Sequence, residues 1–416
     1  MLTDLLYVLL LLIGSPYFLY KYLRKRRGPY SIGQRLYLRK LPPRKCDILV
    51  HCVSVGEIEA GVPIVGALRA AGLAVTVSVI TKAGHEVARK RFGDEAVVLF
   101  PLDFSFSVSR FLNSVNPGVV ALLELELWPN FIRGCSRRNI DVLILNGRMT
   151  ERSLRGYGRL RWVFSRVWPR LRWIGTQDDE TAARFIAAGA IPDRVQSVGS
   201  VKFDRVPPEG WEKARAELGF PKDSLVLFAG STHDGEEALV LNAFASLARD
   251  FPNSRLVLAP RHMERVPVVE RILRNASIDY ALRSSRKTAT VVLLDTMGEL
   301  AILYGAADIV IIGGTLLPGV GGHNPLEAAV LGKPVICGPH FSNFSDVISR
   351  LHAAKGVIIL GNVEDLALVV VRLAGNAADR EAIGRSGRDA VEASKGATAL
   401  YAAKTIEHCK LKGSTK

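Results

Sequence analysis

The sequence lacks the usual arrangements of cysteine chemistry. Its five cysteines (Cys46, Cys52, Cys135, Cys337, Cys409) form no CxxC pair and no Cys/His ligand spacing. That excludes a zinc knuckle and a disulfide framework, and it fits a reducing compartment. Also missing are GxxxxGK[ST], a strand-linked GxGxxG with its downstream acid, and HExxH. ATP hydrolysis, dinucleotide redox chemistry and zinc hydrolysis therefore have no recognisable motif to rest on. The 416 residues are 48% hydrophobic and 23% charged, ordinary globular usage that fits neither disorder nor a polytopic membrane protein. The length predicts two domains with ample cores.

Acidic residues are scarce in two places. Residues 1–45 set ten Lys/Arg against Asp4, and residues 148–172 set eight Arg against Glu151. These two segments hold the whole formal surplus of +15, so the rest of the chain is close to neutral. A nucleic-acid-binding face would spread its charge over the folded body, and this pattern does not.

Leu5 to Tyr20 carries no charge and runs directly into Lys21, Arg24, Lys25, Arg26 and Arg27. A cleaved signal peptide needs its cations before the apolar stretch and small residues after it; both are missing. Residues 1–27 therefore predict an N-terminal membrane anchor helix, spanning or interfacial, with the basic flank and all that follows on the cytoplasmic side.

From residue 47 onward short β-branched runs alternate with helical patterns. A first series is 47–55, 74–80, 96–100, 118–126 and 141–147, and a second is 224–230, 254–260, 290–295, 308–314 and 333–338. Such alternation predicts an α/β fold: two Rossmann-like, doubly wound domains with a ligand cleft between them. DRVPPEGW (204–211) breaks the two series, giving a first domain over 28–206 and a second over 207–416. Residues 379–408 read as helical.

Several strand ends carry candidate chemistry. Ser54, Gly56 and Glu57 follow the first strand; Ser54-x-x-Glu57 has capping-box spacing, while a carboxylate at a strand's carboxyl end also faces a ligand site. Glu124 and Glu126, two apart in an apolar run, are expected on one face of a strand, costly unless paired or at its exposed end. In the second half GSTHDGEE (230–237, with Ser231 and Thr232), DTMGEL (295–300) and GGHNPLEAA (321–329) each open a helix. Asn324 reads as an N-cap with Pro325 at the first helical position and Glu327 following. Helix starts crowded at strand ends suit an anionic ligand, and Arg261 with His262 follows another strand end. Arg148, Arg152, Arg155 and Arg159 share a face if their segment is helical, and Trp162, Phe164, Trp168 and Trp173 come next; the pair of features suits lipid headgroups or a phosphorylated amphiphile.

Taken in order, SVGE (54–57), ELELWPN (124–130), NGRMTERS (146–153), GSVKFD (199–204), GSTHDGEE (230–237), PRHMER (260–265), MGEL (297–300) and GGHNPLE (321–327) resemble the Kdo transferases of lipid A assembly. These enzymes transfer 3-deoxy-D-manno-octulosonic acid from CMP-Kdo. Leu125 stands where the family usually has Thr, and both acids around it are kept. The resemblance implies a GT-B glycosyltransferase that inverts the anomeric centre and needs neither metal nor cofactor. By position it implies Glu57 as general base, Glu126 and Lys202 as transition-state stabilisers, and Pro260, Arg261, Met297, Gly298, Glu299, Asn324, Pro325, Leu326 and Glu327 as CMP-binding. Ser231, Thr232, His262, Arg148 and Arg152 complete the expected substrate contacts. The implied partners are CMP-Kdo, a phosphorylated and acylated glucosamine disaccharide, and inner-membrane lipids, at the cytoplasmic face. An isomerase of the UDP-N-acetylglucosamine 2-epimerase type is the alternative with a comparable architecture.

Overall fold

The computed structural model describes Asp4, Tyr7, residues 31–38 and residues 45–413. The expected anchor of residues 1–27 lies outside the described residues apart from Asp4 and Tyr7. Among the described residues no helix is long and apolar enough to cross a membrane.

The chain forms two units. In the first, β1 (Ile48–Cys52), β2 (Val75–Val79), β3 (Val97–Leu99), β4 (Val119–Leu123), β5 (Asp141–Gly147), β6 (Leu171–Thr176) and β7 (Val195–Ser197) make a parallel sheet of order β3-β2-β1-β4-β5-β6-β7. In the second, β8 (Val226–Thr232), β9 (Arg255–Pro260), β10 (Tyr280–Leu282), β11 (Val291–Leu293), β12 (Ile309–Ile312), β13 (Val335–Cys337) and β14 (Val357–Ile359) make another, of order β10-β11-β9-β8-β12-β13-β14. The strand order reverses between β1 and β4 in one unit and between β8 and β12 in the other. In open α/β sheets ligands bind at such switch points, outside the carboxyl ends of the strands.

Helices cover both faces of each sheet, which is why these strands read as continuous apolar runs rather than alternating ones. Along β1, Leu49 enters one core while Ile48, Val50 and Cys52 enter the other. Along β8, Phe228 and Leu227 divide in the same way.

The sequence missed four strands, β6, β7, β10 and β14; three of them have only three residues each, too short for a periodicity to register. The division of the chain also differs from expectation at its end. The second unit spans residues 202–395, and residues 396 onward join the first. Gly396 (φ +105°) separates the helix Ala377–Ala393 from the helix Ala397–Gly413. The latter buries Ala397, Tyr401 and Ala402 in a first-unit core with Trp173 and Val201. The Tyr401 hydroxyl donates to the carbonyls of Thr176 and Gly199, at 3.2 and 2.9 Å.

Candidate active site

At the first switch point, the turn after β1 starts the helix Val55–Ala70 with Ser54 as its cap. Ser54 Oγ accepts from the Glu57 N–H at 3.2 Å and donates to Glu57 Oε1 at 2.9 Å; Glu57 Oε2 accepts from the Val53 N–H at 2.8 Å. The capping box therefore forms, and it fixes a buried carboxylate in one orientation. Burial pushes the Glu57 carboxyl above its ordinary value; the hydrogen bonds from Val53 and Ser54 oppose the rise and the Glu124 charge adds to it.

After β4 the outcome departs from the sequence reading. The strand stops at Leu123, and Glu124 takes a left-handed backbone (φ +59°), its N–H donating to the Leu145 carbonyl at 3.0 Å. Glu124 and Glu126 thus lie in a loop beyond the sheet rather than on one face of a strand. Leaving the sheet relieves the cost of burying two carboxylates in it, and a non-glycine residue at positive φ is strain of the kind held at functional sites. Glu126 Oε2 accepts from Trp128 Nε1 at 3.1 Å. Its pKa is raised to about 7, chiefly by burial, then by the Glu57 and Glu124 charges, against the Trp128 bond. Charges gathered from two adjacent strand ends thus add to the effect of burial: Glu124 raises both Glu57 and Glu126, and Glu57 raises Glu126.

The WPN of the same motif is scaffolding. Pro129 opens the helix Pro129–Arg137, whose cap residue Trp128 supplies no side-chain bond. Buried Asp103 takes that role from another loop: its Oδ1 accepts from the Phe131 N–H at 2.7 Å, and its Oδ2 from the Asn130 N–H at 3.0 Å and the Tyr7 hydroxyl at 2.8 Å. The helix start holds Trp128, and Trp128 holds Glu126.

A raised carboxyl pKa has a stability sign. The native state binds the Glu126 proton more tightly than the unfolded chain does, so the site's contribution is present below the ordinary value of 4.5 and is lost as pH rises through about 7. Glu126→Gln, which keeps an acceptor for Trp128, is expected to stabilise the first unit at pH 8 by on the order of 2 kcal/mol, or about 4–8 °C in Tm. The gain should vanish near pH 4.5; a pH series of melting curves checks it, and a loss of stability at pH 8 would contradict the buried-charge account.

The NGRMTERS segment begins in β5. Asn146 is left-handed (φ +55°), and its Oδ1 accepts from the Val201 N–H at 3.2 Å. Thr150 caps the helix Glu151–Arg159. Arg152, Arg155 and Arg159 are exposed there, Arg148 is half-buried before it, and Leu160 and Trp162 follow at 45% and 51% exposure. Trp168 and Trp173 do not join this surface: both are buried in the cores, where β6 and the turn before it need large side chains.

In the second unit the GSTHDGEE loop is held by its own acids. Glu236, fully buried, accepts N–H bonds from His233, Gly314 and Leu316 at 2.9, 2.7 and 2.9 Å, fastening the end of β8 to the loop after β12. Glu237 accepts from Thr232 Oγ1 and pairs with Arg265 at 3.0 Å. Ser231 is left-handed (φ +59°). A Cβ on Gly313 would sit 2.2 Å from the Ser231 carbonyl, so only glycine fits. Pro260 ends β9 buried, while Arg261 and His262 are exposed; the Arg261 N–H donates to the Thr232 carbonyl at 2.9 Å. Met297 is 80% exposed, Gly298 has φ +87°, and Glu299 pairs with Arg283 at 2.9 Å.

The helix of the last motif runs Leu326–Ala329, with Pro325 rather than Asn324 at the cap position. It starts one residue later than expected because Pro325 is the last residue before the hydrogen-bonded turns. Asn324 still serves it, its Oδ1 accepting from the Leu326 N–H at 3.1 Å and its Nδ2 donating to Glu327 at 3.3 Å. Lys202 pairs with Asp346 at 3.2 Å and lies 5.4 Å from the Phe344 ring centroid. A cavity of about 460 Å³ lies between the loops 319–321 and 339–345. Among the described residues, no His, Cys, Asp and Glu side chains are grouped to hold a metal ion.

Sequence reasoning missed Asp103, Asp346, His233 and His323. The histidines stand inside quoted motifs, but single histidines carry no spacing signal, and the two acids act across the fold.

Two doubly wound units, one with acids at its switch point and the other with a cationic strand end beside glycine-built loops, define an α/β protein of the class that binds ligands at the carboxyl ends of its strands. Comparison with known proteins makes this specific. Residues 24–205 match the model of the 3-deoxy-D-manno-octulosonic-acid transferase (Kdotransferase) family. The chain is 33% identical to the 3-deoxy-D-manno-octulosonic acid transferase of Haemophilus influenzae over 86% of this chain and 85% of that one. With the Bordetella pertussis protein of the same name it shares 31% identity over 89% of each chain. The solved UDP-GlcNAc 2-epimerase of Neisseria meningitidis, bound to UDP-GlcNAc, is 15% identical with a TM-score of 0.58, over 88% of this chain and 99% of that one; that likeness concerns the fold. The chain belongs to the 3-deoxy-D-manno-octulosonic acid transferase family and is a glycosyltransferase.

Proposed function

We propose that this enzyme transfers Kdo from CMP-Kdo to a phosphorylated, acylated glucosamine disaccharide, the lipid A precursor, with inversion and without a metal ion, at the cytoplasmic face of the bacterial inner membrane. The observation that carries the reading is the carboxylate set at the first switch point. An acceptor hydroxyl is a poor nucleophile, and a carboxylate of raised pKa is a stronger base than an ordinary one. Glu57, oriented by its capping box, accepts the hydroxyl proton as the oxygen bonds to the anomeric carbon of Kdo. The bond from that carbon to the phosphate breaks, and its electron pair leaves with CMP. Glu126 keeps a negative field beside the sugar as positive charge develops there, and Lys202 and Arg261 face the negative charge of the donor.

The second unit holds CMP through the strand-end loops of Ser231, Thr232, Pro260–His262, Met297–Glu299 and Asn324–Glu327, and the 460 Å³ cavity beside the loop 319–321 adds room there. Arg148, Arg152 and the exposed Arg/Trp helix receive the phosphorylated acceptor and anionic lipid. The epimerase alternative shares the fold but gives no role to this surface.

Incubation with CMP-Kdo and a tetraacylated lipid A precursor is expected to yield a Kdo-bearing product of inverted anomeric configuration by mass spectrometry and NMR. The rate should be unchanged by EDTA. Conversion of a UDP-sugar with no acceptor present would favour the epimerase, and loss of activity on chelation with rescue by Mg²⁺ would overturn metal independence.

A further inference from the structure

At the second switch point two imidazoles meet in a way that no role assigned so far uses. His233 follows β8, His323 belongs to the loop after β12, and their Nε2 atoms are 2.7 Å apart, with the rings 4° from coplanar. Two protonated nitrogens cannot approach head-on at that distance, so one Nε2 donates and the other accepts: the pair shares one proton at this edge. Gly314 makes room for it, since its φ is +70° and a Cβ there would sit 3.0 Å from His323 Cδ2.

Among the described residues, the charged or titratable groups that act on the pair from outside are Arg261, His262, Glu236 and Glu237. His262 stands edge-on to His233 with ring centroids 5.5 Å apart, and the Arg261 charge acts on both histidines. Glu236 and Glu237 act on His233 in the opposite sense, yet Glu236 is saturated by three N–H bonds and Glu237 by Arg265 and Thr232. Burial comes first for both: His323 is lowered to about 4 and His233 is lowered as well. The pair is therefore neutral at pH 7, beside the Arg261 charge.

We propose that the His233–His323 pair takes up a proton when the phosphate of CMP binds beside it, and so becomes the cation that offsets the charge gained by that phosphate as CMP departs. The proposal rests on the reading that the second unit holds CMP. A phosphate at hydrogen-bond distance favours the charged imidazole by about 1–3 pKa units, enough to bring the pair to the edge of neutral pH. The extra proton goes to Nδ1 of the ring that donates through Nε2, the other ring already carrying its own proton on Nδ1, and the shared Nε2 contact is kept. When the bond from sugar to phosphate breaks, its electron pair moves onto a phosphate oxygen already facing this imidazolium. CMP release returns the proton to solvent.

The test is calorimetric titration of CMP into the full-length protein at pH 7 in buffers of different ionisation enthalpy, which reads the protons exchanged. The full rise of about 3 units would leave the pair half-protonated at pH 7, so about half a proton is expected to be taken up per CMP by the native enzyme. Cytidine, without a phosphate, should take up none, and His233→Gln and His323→Gln should each reduce the CMP value below about 0.2. ¹⁵N NMR of the histidines in the unsubstituted protein needs no variant, and CMP should move one of the pair toward the imidazolium signature. CMP binding with no proton uptake, uptake undiminished in both variants, or histidine signals unmoved by CMP would each overturn the pair's role. Failure of CMP to bind at all would overturn the donor assignment beneath it.

Discussion

Glu57→Gln is expected to lower Kdo transfer by about 10²–10⁴-fold with the fold and CMP affinity unchanged. The capping box is what makes this test clean. A glutamine amide can keep both contacts: its oxygen accepts from the Val53 N–H and its NH₂ donates to Ser54 Oγ, which in the native site sits 2.9 Å from Oε1. Loss of the box itself would cost only about 1 kcal/mol of stability, far too little to silence an enzyme at 25 °C. A base and a cap therefore separate experimentally: the rate should collapse while the melting temperature does not fall. Near-normal transfer by the Gln variant would leave Glu57 as a cap alone and shift the base assignment to Glu126, the other acid of the set.

Arg261→Ala is expected to weaken CMP about 10- to 100-fold, the effect of losing one hydrogen bond to a charged group, about 1.5–3 kcal/mol. Its position is fixed by its backbone, because the N–H is tied to Thr232 across the β8–β9 edge, so truncation removes charge without moving the loop. Cytidine affinity should be unaffected, since the lost partner is the phosphate. The double substitution Arg155→Glu, Arg159→Glu should do the reverse, leaving CMP affinity intact and raising the apparent KM for the lipid acceptor. Calorimetry with CMP and acceptor kinetics on both variants distinguishes the two surfaces; equal loss of CMP affinity in both would refute the assignment of donor and acceptor to separate units.

Much of the architecture was legible because buried parallel strands are written as contiguous apolar runs. The ten runs seen in the sequence all became strands, and the motifs fell at their carboxyl ends. What escaped were elements held by contacts distant in sequence. β7 and β14 are brief edge strands that a period-two reading cannot register. Glu124 illustrates a subtler failure: the pattern extended the strand through it, whereas the strand stops at Leu123 and Glu124 turns the backbone to φ +59°, which takes both carboxylates out of the sheet. The same constraint works at Asp103, whose side chain starts a helix about 27 residues away; no local window contains both ends of that bond. The resemblance found the acidic residues because their spacing is local, and it passed over the histidine pair because 90 residues separate its members.

The return of the last helix to the first unit has a consequence for biosynthesis. The second unit is an insertion between residues 201 and 396, so it emerges from the ribosome with all of its strands together. The first unit, although synthesised earlier, must wait for Tyr401 and Ala402 to cover Trp173 and complete its core. N-terminal-first order, the usual expectation for multidomain chains, is thereby inverted: the part translated second finishes folding first. Until then the nascent first unit exposes an apolar face, and a nonsense mutation between residues 202 and 396 would leave that face permanently uncovered, even with every residue of the acidic site already made.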